Sequence, residues 1–282
     1  MNAEENPALC SVCSRPLGRS DLAYGRIVRR CNSCGHVLVA GSSFPHQAGI
    51  ETIESRVSPV SAEWLLTQLP QEVSGHSHLR YLDVGCWDGT LMSRLPTTWI
   101  GKGIEPSGPA ASRARSRGLD VVQGFVEDVF IEPAAFDLVL LIDVIEHIPQ
   151  PRPVLEKLSS ALRPNGVLVA LTGNAASDAA RIFGARWYYL HYPEHCSVFT
   201  PTSLRIVLED AGLRLRTMCT LAHPVANAWR DLTQACVHPF RRSLAHETGD
   251  TSLSGAVGLN VMSLSRLARR RDHLLAIASP IA

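Results

Sequence analysis

Two groups of residues have types and spacings that can do chemistry: four cysteines near the start of the chain, and glycines and acids around residue 85. Cys10-Ser11-Val12-Cys13 and Cys31-Asn32-Ser33-Cys34 are two C-x2-C pairs with 17 residues between them. Each pair places two thiols on one turn, and two such turns close a four-sulfur zinc site. Four protein ligands leave no open position, so that metal is expected to be structural, not catalytic. Arg29 and Arg30 precede the second pair, where their charge would soften that of four thiolates. A disulfide framework is the rival, but it needs an oxidising compartment. The polar, acidic start Met1–Pro7 does not read as a secretion signal.

Tyr81-Leu82-Asp83-Val84-Gly85-Cys86-Trp87-Asp88-Gly89-Thr90 reads as a strand, a tight glycine turn and a helix start. Gly103-Ile104-Glu105-Pro106 then puts an acid at the end of the next strand. That is the layout of a cofactor site at the carboxyl edge of a parallel sheet. Glycines there let the backbone approach a ligand closely. A dinucleotide site wants G-x-G-x-x-G with a pyrophosphate on the helix start. Here the middle position is Trp87, and Asp83 precedes the first glycine by two. A carboxylate at that point repels a pyrophosphate and suits a cation, such as an amino group or a sulfonium. Glu105 can accept two hydrogen bonds from a ribose diol.

These residues resemble motif I of the class I S-adenosylmethionine (SAM)-dependent methyltransferases, D/E-x-G-x-G-x-G, with Trp87 where that family has glycine. The resemblance extends along the chain. Phe136 to Asp143 is a nearly continuous apolar run, as for a strand buried on both faces. It leads into Val144-Ile145-Glu146-His147-Ile148-Pro149, which, read on to Pro151, is similar to D-V-x-E-H-x-x-x-P. Leu162-Arg163-Pro164-Asn165-Gly166 resembles the L-R-P-G-G turn, and Trp187-Tyr188-Tyr189 with Pro193-Glu194-His195 to Thr200 resembles the W…P-x-H-x-x-x-F-(S/T) segment of O-methyltransferase-like enzymes. The cysteine pairs, with Tyr24 and Arg30 ahead of the second and His36 after it, are similar to the N-terminal ribbon of bacterial methyltransferases of glycan and natural-product pathways.

The resemblance implies SAM contacts at Asp83, Gly85, Cys86, Gly89, Glu105, Pro106, Glu127, Asp128, Asp143 and Val144, with zinc on Cys10, Cys13, Cys31 and Cys34. Methyl transfer to a hydroxyl profits from a base, and His147 and His195 are the candidates. The bland role for each is a loop histidine bonded to backbone. Trp187, Tyr188 and Tyr189 are expected to wall the pocket of a small-molecule or glycan acceptor. One alternative is an RNA or protein methyltransferase that grips its substrate with the ribbon. Base-methylating relatives carry N/D-P-P-Y/F after the fourth strand, whereas this chain reads Asp143-Val144-Ile145-Glu146. A second is a non-catalytic binding protein that keeps the fold.

The elements that must position these residues give an α/β fold: a seven-stranded Rossmann-like methyltransferase sheet, mostly parallel with an antiparallel last strand, plus a small N-terminal zinc ribbon. A helix is expected over Ser107 to Arg117 and strands over 118–123, 167–172, 213–220 and 273–278. A further helix spans Pro201 to Gly212, with Thr200 as its cap. The expected organisation is ribbon 1–40, linker 41–62 with a short helix from Ala62 to Leu69, and methyltransferase domain 63–282, with a helical insertion at 223–270 supplying substrate or partner contacts. Cys86, Cys196, Cys219 and Cys236 read as buried thiols.

Composition is consistent with this. A chain of 282 residues, 45% hydrophobic, can bury one sizeable α/β core and a small extra module. A formal charge of +1 gives no electrostatic argument for nucleic acid. The basic run Arg266, Arg269, Arg270 and Arg271 reads as a solvated helix end. No apolar run reaches the roughly 18 residues that span a membrane, and the chain reads as cytoplasmic.

Overall fold

The computed structural model describes residues 9–40, 60–222 and 271–281. Linker residues 41–59 and the helical insertion expected at 223–270, with Cys236 and the basic run 266–270, lie outside the described residues.

The centre is a seven-stranded sheet. Its strands are β4 (Arg80–Val84), β5 (Ile100–Glu105), β6 (Val121–Gln123), β7 (Phe136–Ile142), β8 (Leu162–Gly173), β10 (Leu213–Leu221) and β11 (His273–Pro280), in the order β10-β11-β8-β7-β4-β5-β6. β4 to β8 are parallel, and β11 runs antiparallel to both β8 and β10. β4 lies between β5 and β7, so the strand order reverses there and opens a crevice at the carboxyl ends.

Side chains alternate across this sheet with period two. Leu82, Val84, Val139, Leu141, Leu168, Ala170, Leu274 and Ala276 face one side, against α4 (Pro151–Ala161) and α6 (Pro201–Asp210). Tyr81, Leu138, Leu140, Val167, Val169, Leu171, Leu275 and Ile277 face the other, against α1 (Ala62–Gln68) and α3 (Gly108–Ser116). α2 (Gln71–Ser74) and α5 (Asp178–Phe183) are shorter. Thr200 caps α6 with a reciprocal Ser203 contact, Pro201 opens it, and Gly212 turns the chain at φ +76°.

Where a helix was expected after Gly89, there is only a 3-10 turn at Met92–Arg94. The run from Gly89 to Pro96 is too short for a stable helix, and a proline ends it. Cys86 and Cys196 are buried as expected, but Cys219 is exposed, because β10 is an edge strand.

The ribbon is the second sheet: β1 (Leu17–Ala23), β2 (Arg26–Cys31) and β3 (Val37–Val39), all antiparallel. Its fourth strand is β9 (Ser197–Val198), from far along the chain. Cys10, Val12, Cys31 and Cys34 join the core face that holds α4 and α6, and His36 packs on Phe199 with ring centroids 4.7 Å apart. The ribbon is therefore built into the body of the molecule.

Candidate active site

The cofactor-side residues converge on the carboxyl edge because the turns that follow four parallel strands all end there. Gly85, at φ +71°, follows β4, and a Cβ there would meet Val144 Cγ2 at 2.5 Å. Gly89, at φ +75°, packs on α3, where a Cβ would meet Leu119 at 2.2 Å and Ala114 at 3.1 Å. Trp87 takes the same left-handed conformation at φ +51°. Its amide donates to Glu105 Oε2 at 2.9 Å, and the Ser107 amide donates to Oε1 at 2.7 Å. Both oxygens of Glu105 are thus aimed by backbone, each retaining capacity for a second donor. The Arg113 guanidinium lies 5.9 Å from the Trp87 ring.

Asp83 is buried beside Glu105, and its carboxyl is pushed up to about 7, first by burial and then by the Glu105 charge. Burial also raises Glu105. A pair of buried acids with raised affinity for protons suits a cationic ligand. Pro106 and Cys86 flank Glu105 and Gly85 in sequence, and Cys86 is buried against Gly103. The turn at 124–128 hangs on Glu105 through the Gly124 amide, 3.0 Å from the Glu105 carbonyl. Glu127 and Asp128 are exposed on that turn, and the Lys157 ammonium donates to the Glu127 carbonyl at 2.9 Å. Asp143 follows β7 at φ +53°, with its amide on the Leu171 carbonyl at 2.9 Å, and Val144 comes next, against Gly85.

The two candidate histidines meet on the other side of this edge. Their ring centroids are 4.9 Å apart. His147 Nδ1 lies 3.2 Å from the Glu194 carbonyl, and His195 Nδ1 lies 2.8 Å from the Tyr189 carbonyl. A carbonyl only accepts, so each Nδ1 carries the proton, and neutral His195 has its lone pair on Nε2. Burial, and then the neighbouring His147, hold His195 well below the ordinary histidine range. Glu146 is buried beneath them. It accepts from Thr172 Oγ1 at 2.8 Å and from the Tyr189 hydroxyl, and burial raises its pKa. Glu146, His147 and His195 each offer a ligand atom, all within 4.8 Å of one another, a spacing compatible with one cation.

The expected aromatic wall is not an open surface. Trp187, Tyr188 and Tyr189 are buried, Trp187 stacks on Tyr189 at 5.1 Å, and the Tyr189 hydroxyl is spent on Glu146 and on the Gly173 amide, which donates to it at 2.9 Å. Tyr188 donates to Asp272 Oδ2 at 3.2 Å, and Asp272 Oδ1 lies 2.9 Å from His273 Nδ1. These rings brace the loop from inside. Tyr192, half-buried and 5.0 Å from His195, is the aromatic nearer the surface. Sequence reading missed the roles of Thr172 and Asp272, whose partners Glu146 and Tyr188 are distant in the chain.

The four ribbon thiols also meet, all within 4.8 Å of one another, with Sγ–Sγ distances of 3.7 Å for Cys10–Cys34 and 3.5 Å for Cys13–Cys31. A ZnS4 tetrahedron with bonds of about 2.3 Å has edges of about 3.8 Å, whereas a disulfide is about 2.05 Å long. The amides of Val12 and Cys13 point at the Cys10 sulfur. Burial raises Cys10 and Cys34, whereas at Cys31 burial is outweighed by the amides of Cys34 and Ser33 and the neighbouring sulfurs, which lower the thiol to about 7. The donor set fits a metal. Arg30 donates to the Gly35 carbonyl, next to Cys34 in the chain, at 3.3 Å and to the Ala175 carbonyl at 3.0 Å.

Comparison with known proteins decides the family. A methyltransferase-domain family model matches residues 56–217. The chain belongs to the methyltransferase-domain family. It is a SAM-dependent methyltransferase with the fold expected of one. A ubiquinone biosynthesis O-methyltransferase of Xanthomonas euvesicatoria is 32% identical over 190 residues, covering 62% of this chain and 76% of that protein. The enzyme of the same name from Aeromonas salmonicida is 27% identical over 190 residues, covering 62% and 78%. Among solved structures, a SAM-dependent methyltransferase of Archaeoglobus fulgidus matches 77% of this methyltransferase and 94% of its own chain, with a TM-score of 0.51 at 16% identity. One from Methanosarcina mazei matches 76% and 98%, with a TM-score of 0.51 at 12% identity. These two bear on the fold alone. No helix among the described residues is long and apolar enough to cross a membrane.

Proposed function

We propose that this methyltransferase methylates a hydroxyl on a small aromatic molecule, with His195 facing that hydroxyl. Bound SAM supplies an electrophilic methyl group on a sulfonium. Glu105 would hold the ribose diol, Asp83 and Asp143 would face the cationic amino-acid end, and Gly85 and Gly89 give the backbone its close approach. Cys86, Pro106 and Val144 would line that edge, with Glu127 and Asp128 at the adenine end. Cys10, Cys13, Cys31 and Cys34 would hold a structural zinc, which takes no part in the chemistry because no coordination position remains open.

The observation that carries this reading is the 2.8 Å contact between His195 Nδ1 and the Tyr189 carbonyl. The His195 proton is committed to that carbonyl, so Nε2 can accept a hydrogen bond from an incoming hydroxyl and turn the oxygen lone pair toward the methyl. The depressed proton affinity of His195 keeps the imidazole uncharged, so it suits orienting the hydroxyl by a hydrogen bond more than holding its proton. The hydroxyl acceptors implied by the names of the relatives support the same class of substrate.

Replacing His195 with Gln tests this. The expected result is a fall in turnover of about a hundredfold or more, with the Michaelis constant little changed, because the lost contact belongs to the transition state. A lowered thermal midpoint with full turnover in the folded fraction would make His195 a loop anchor only. A dependence of turnover on added divalent cations, abolished by the same substitution, would instead assign the Glu146, His147 and His195 group to a metal.

A further inference from the structure

We infer that the ribbon braces the acceptor side of the active site, with Arg26 as the positioning residue that fixes the loop carrying His195; this deepens the reading of that loop as the acceptor side. The Arg26 guanidinium reaches across the molecule to three carbonyls of one loop. It donates to Leu190, to Pro193 at 3.1 Å and to His195 at 3.3 Å. A loop that turns three carbonyls toward one point needs several donors there. Arginine offers five N–H groups in a rigid fork, which a lysine ammonium does not reproduce. Fixing the His195 carbonyl fixes its peptide plane, and with it the direction in which the imidazole leaves the chain.

The bracing continues on both flanks. Before His195, the Tyr24 hydroxyl donates to the Arg186 carbonyl at 2.7 Å, and the Tyr24 ring meets His191 edge-on at 5.0 Å. After it, the Val39 amide donates to the Cys196 carbonyl at 2.9 Å, β3 pairs with β9, and Thr200 Oγ1 donates to the Cys34 carbonyl at 2.7 Å. Arg26 opens β2 and Cys31 closes it. One strand therefore links the four-thiol cluster to the loop. The cofactor turns are held by other means: Gly85 and Cys86 hang on the Ile104 carbonyl, and Trp87 and Ser107 on Glu105. A fold staple has no need to aim three donors at the one loop that bears the candidate base.

The test uses the full chain with Arg26→Ala and Arg26→Lys. Three readouts are taken: hydrogen exchange along the chain, SAM affinity by calorimetry, and methyl transfer to 3,4-dihydroxybenzoate as probe. For Arg26→Ala, amides of 188–196 should exchange about tenfold faster or more, while 80–90 and 100–107 keep their rates and SAM affinity stays within about twofold. Turnover efficiency should fall about a hundredfold, as expected when a reacting group is misplaced by about an ångström. Methylguanidinium in solution should restore part of it, and Arg26→Lys should restore little. Unchanged exchange in 188–196 would overturn the proposal. So would acceleration of both regions together with a lower thermal midpoint and no chemical rescue, since that is the signature of a staple. If the wild type methylates no such diol, the acceptor reading fails, and the exchange and calorimetry arms, which need no acceptor, still decide the role of Arg26.

Discussion

Glu105 is aimed from neighbouring βα turns, whereas the loop of His195, whose imidazole bonds Tyr189 only 6 residues back, is pinned from far along the chain. Glu105 is aimed by amides 2 and 18 residues away. His195 is held by Arg26, 169 residues away, and its neighbour Leu190 by the same side chain at a separation of 164. The cofactor half is thus made of glycine turns and one strand-end acid, all on adjacent βα units. The acceptor half is assembled from the ribbon, the loop after β8 and the start of β11. A half built locally keeps its geometry when distant parts change. A half built from long-range contacts inherits the stability of every part that touches it. This also suits a division of labour in which one cofactor is kept and acceptors vary, because loop contacts can change without disturbing the motif I turn.

The severest break of the comparison is Cys31→Ser. It removes one of the four proposed zinc ligands, and metal binding in small zinc modules contributes about 10–16 kcal/mol to folding. Metal analysis should find one zinc per wild-type chain and none bound stoichiometrically by the variant. Methyl transfer should be lost, while SAM affinity stays within about twofold. Equal loss of SAM binding would mean the two halves cannot be separated. Cobalt-substituted wild type should show four sulfur ligands; a bound water in its spectrum would contradict the saturated site.

Next in size is Glu105→Ala. It deletes an acceptor shared by the Trp87 and Ser107 amides and the proposed ribose contact. Calorimetry should show SAM binding weaker by about 1–3 kcal/mol, the range for hydrogen bonds to a charged group. Loop exchange at 188–196 should not move. Unchanged affinity would refute the placement of the diol.

These two substitutions also mark what could be read in advance. The cap and stop of α6 and the acid ending β5 were legible from local patterns, an N-cap and a glycine, whereas the seven-stranded sheet and its antiparallel last strand were legible through the resemblance to class I methyltransferases. The thiols were legible because C-x2-C fixes two ligands on one turn. The buried bracing by Tyr188 and Tyr189 was not, since aromatic residues in a loop read alike whether they face a pocket or the core. Nor was the pairing of β3 with β9, because a two-residue strand carries no periodic signal. The missing helix after Gly89 was an over-reading of motif I against a proline in plain view.

A smaller, pH-dependent effect should come from Asp83. Its carboxyl stands at about 7 in the free protein, raised by burial and by Glu105. A cation placed beside it lowers that value, so binding below about pH 7 must expel a proton. SAM affinity should therefore rise with pH, by up to about tenfold per unit, and level off above about 7. Calorimetry in buffers of different ionisation heat reads the released proton directly, and its absence near pH 6 would remove Asp83 from the cationic contact. The same raised value has a stability cost of opposite sense. The native state keeps a proton that the unfolded chain gives up near 3.8, so ligand-free protein should lose stability as pH rises from there through about 7.

The smallest expected effect is the sharpest test of the local half. Trp87 sits at φ +51°, a conformation that costs an aromatic residue about 1–2 kcal/mol. Replacing it with Gly removes that strain but also removes the Arg113 contact, worth about 0.5–1 kcal/mol, and adds the unfolded-state freedom of glycine, about 0.5–1 kcal/mol. These terms nearly cancel, so the thermal midpoint should move little. The amide at position 87 still donates to Glu105 Oε2 in Trp87→Gly, so the acid stays aimed and SAM affinity should hold or rise as space opens beside the turn. A steep fall would show that the indole itself contacts the cofactor. The cofactor half would then depend on a bulky side chain held by Arg113, and it would lose the independence that sets it apart from the half built around His195.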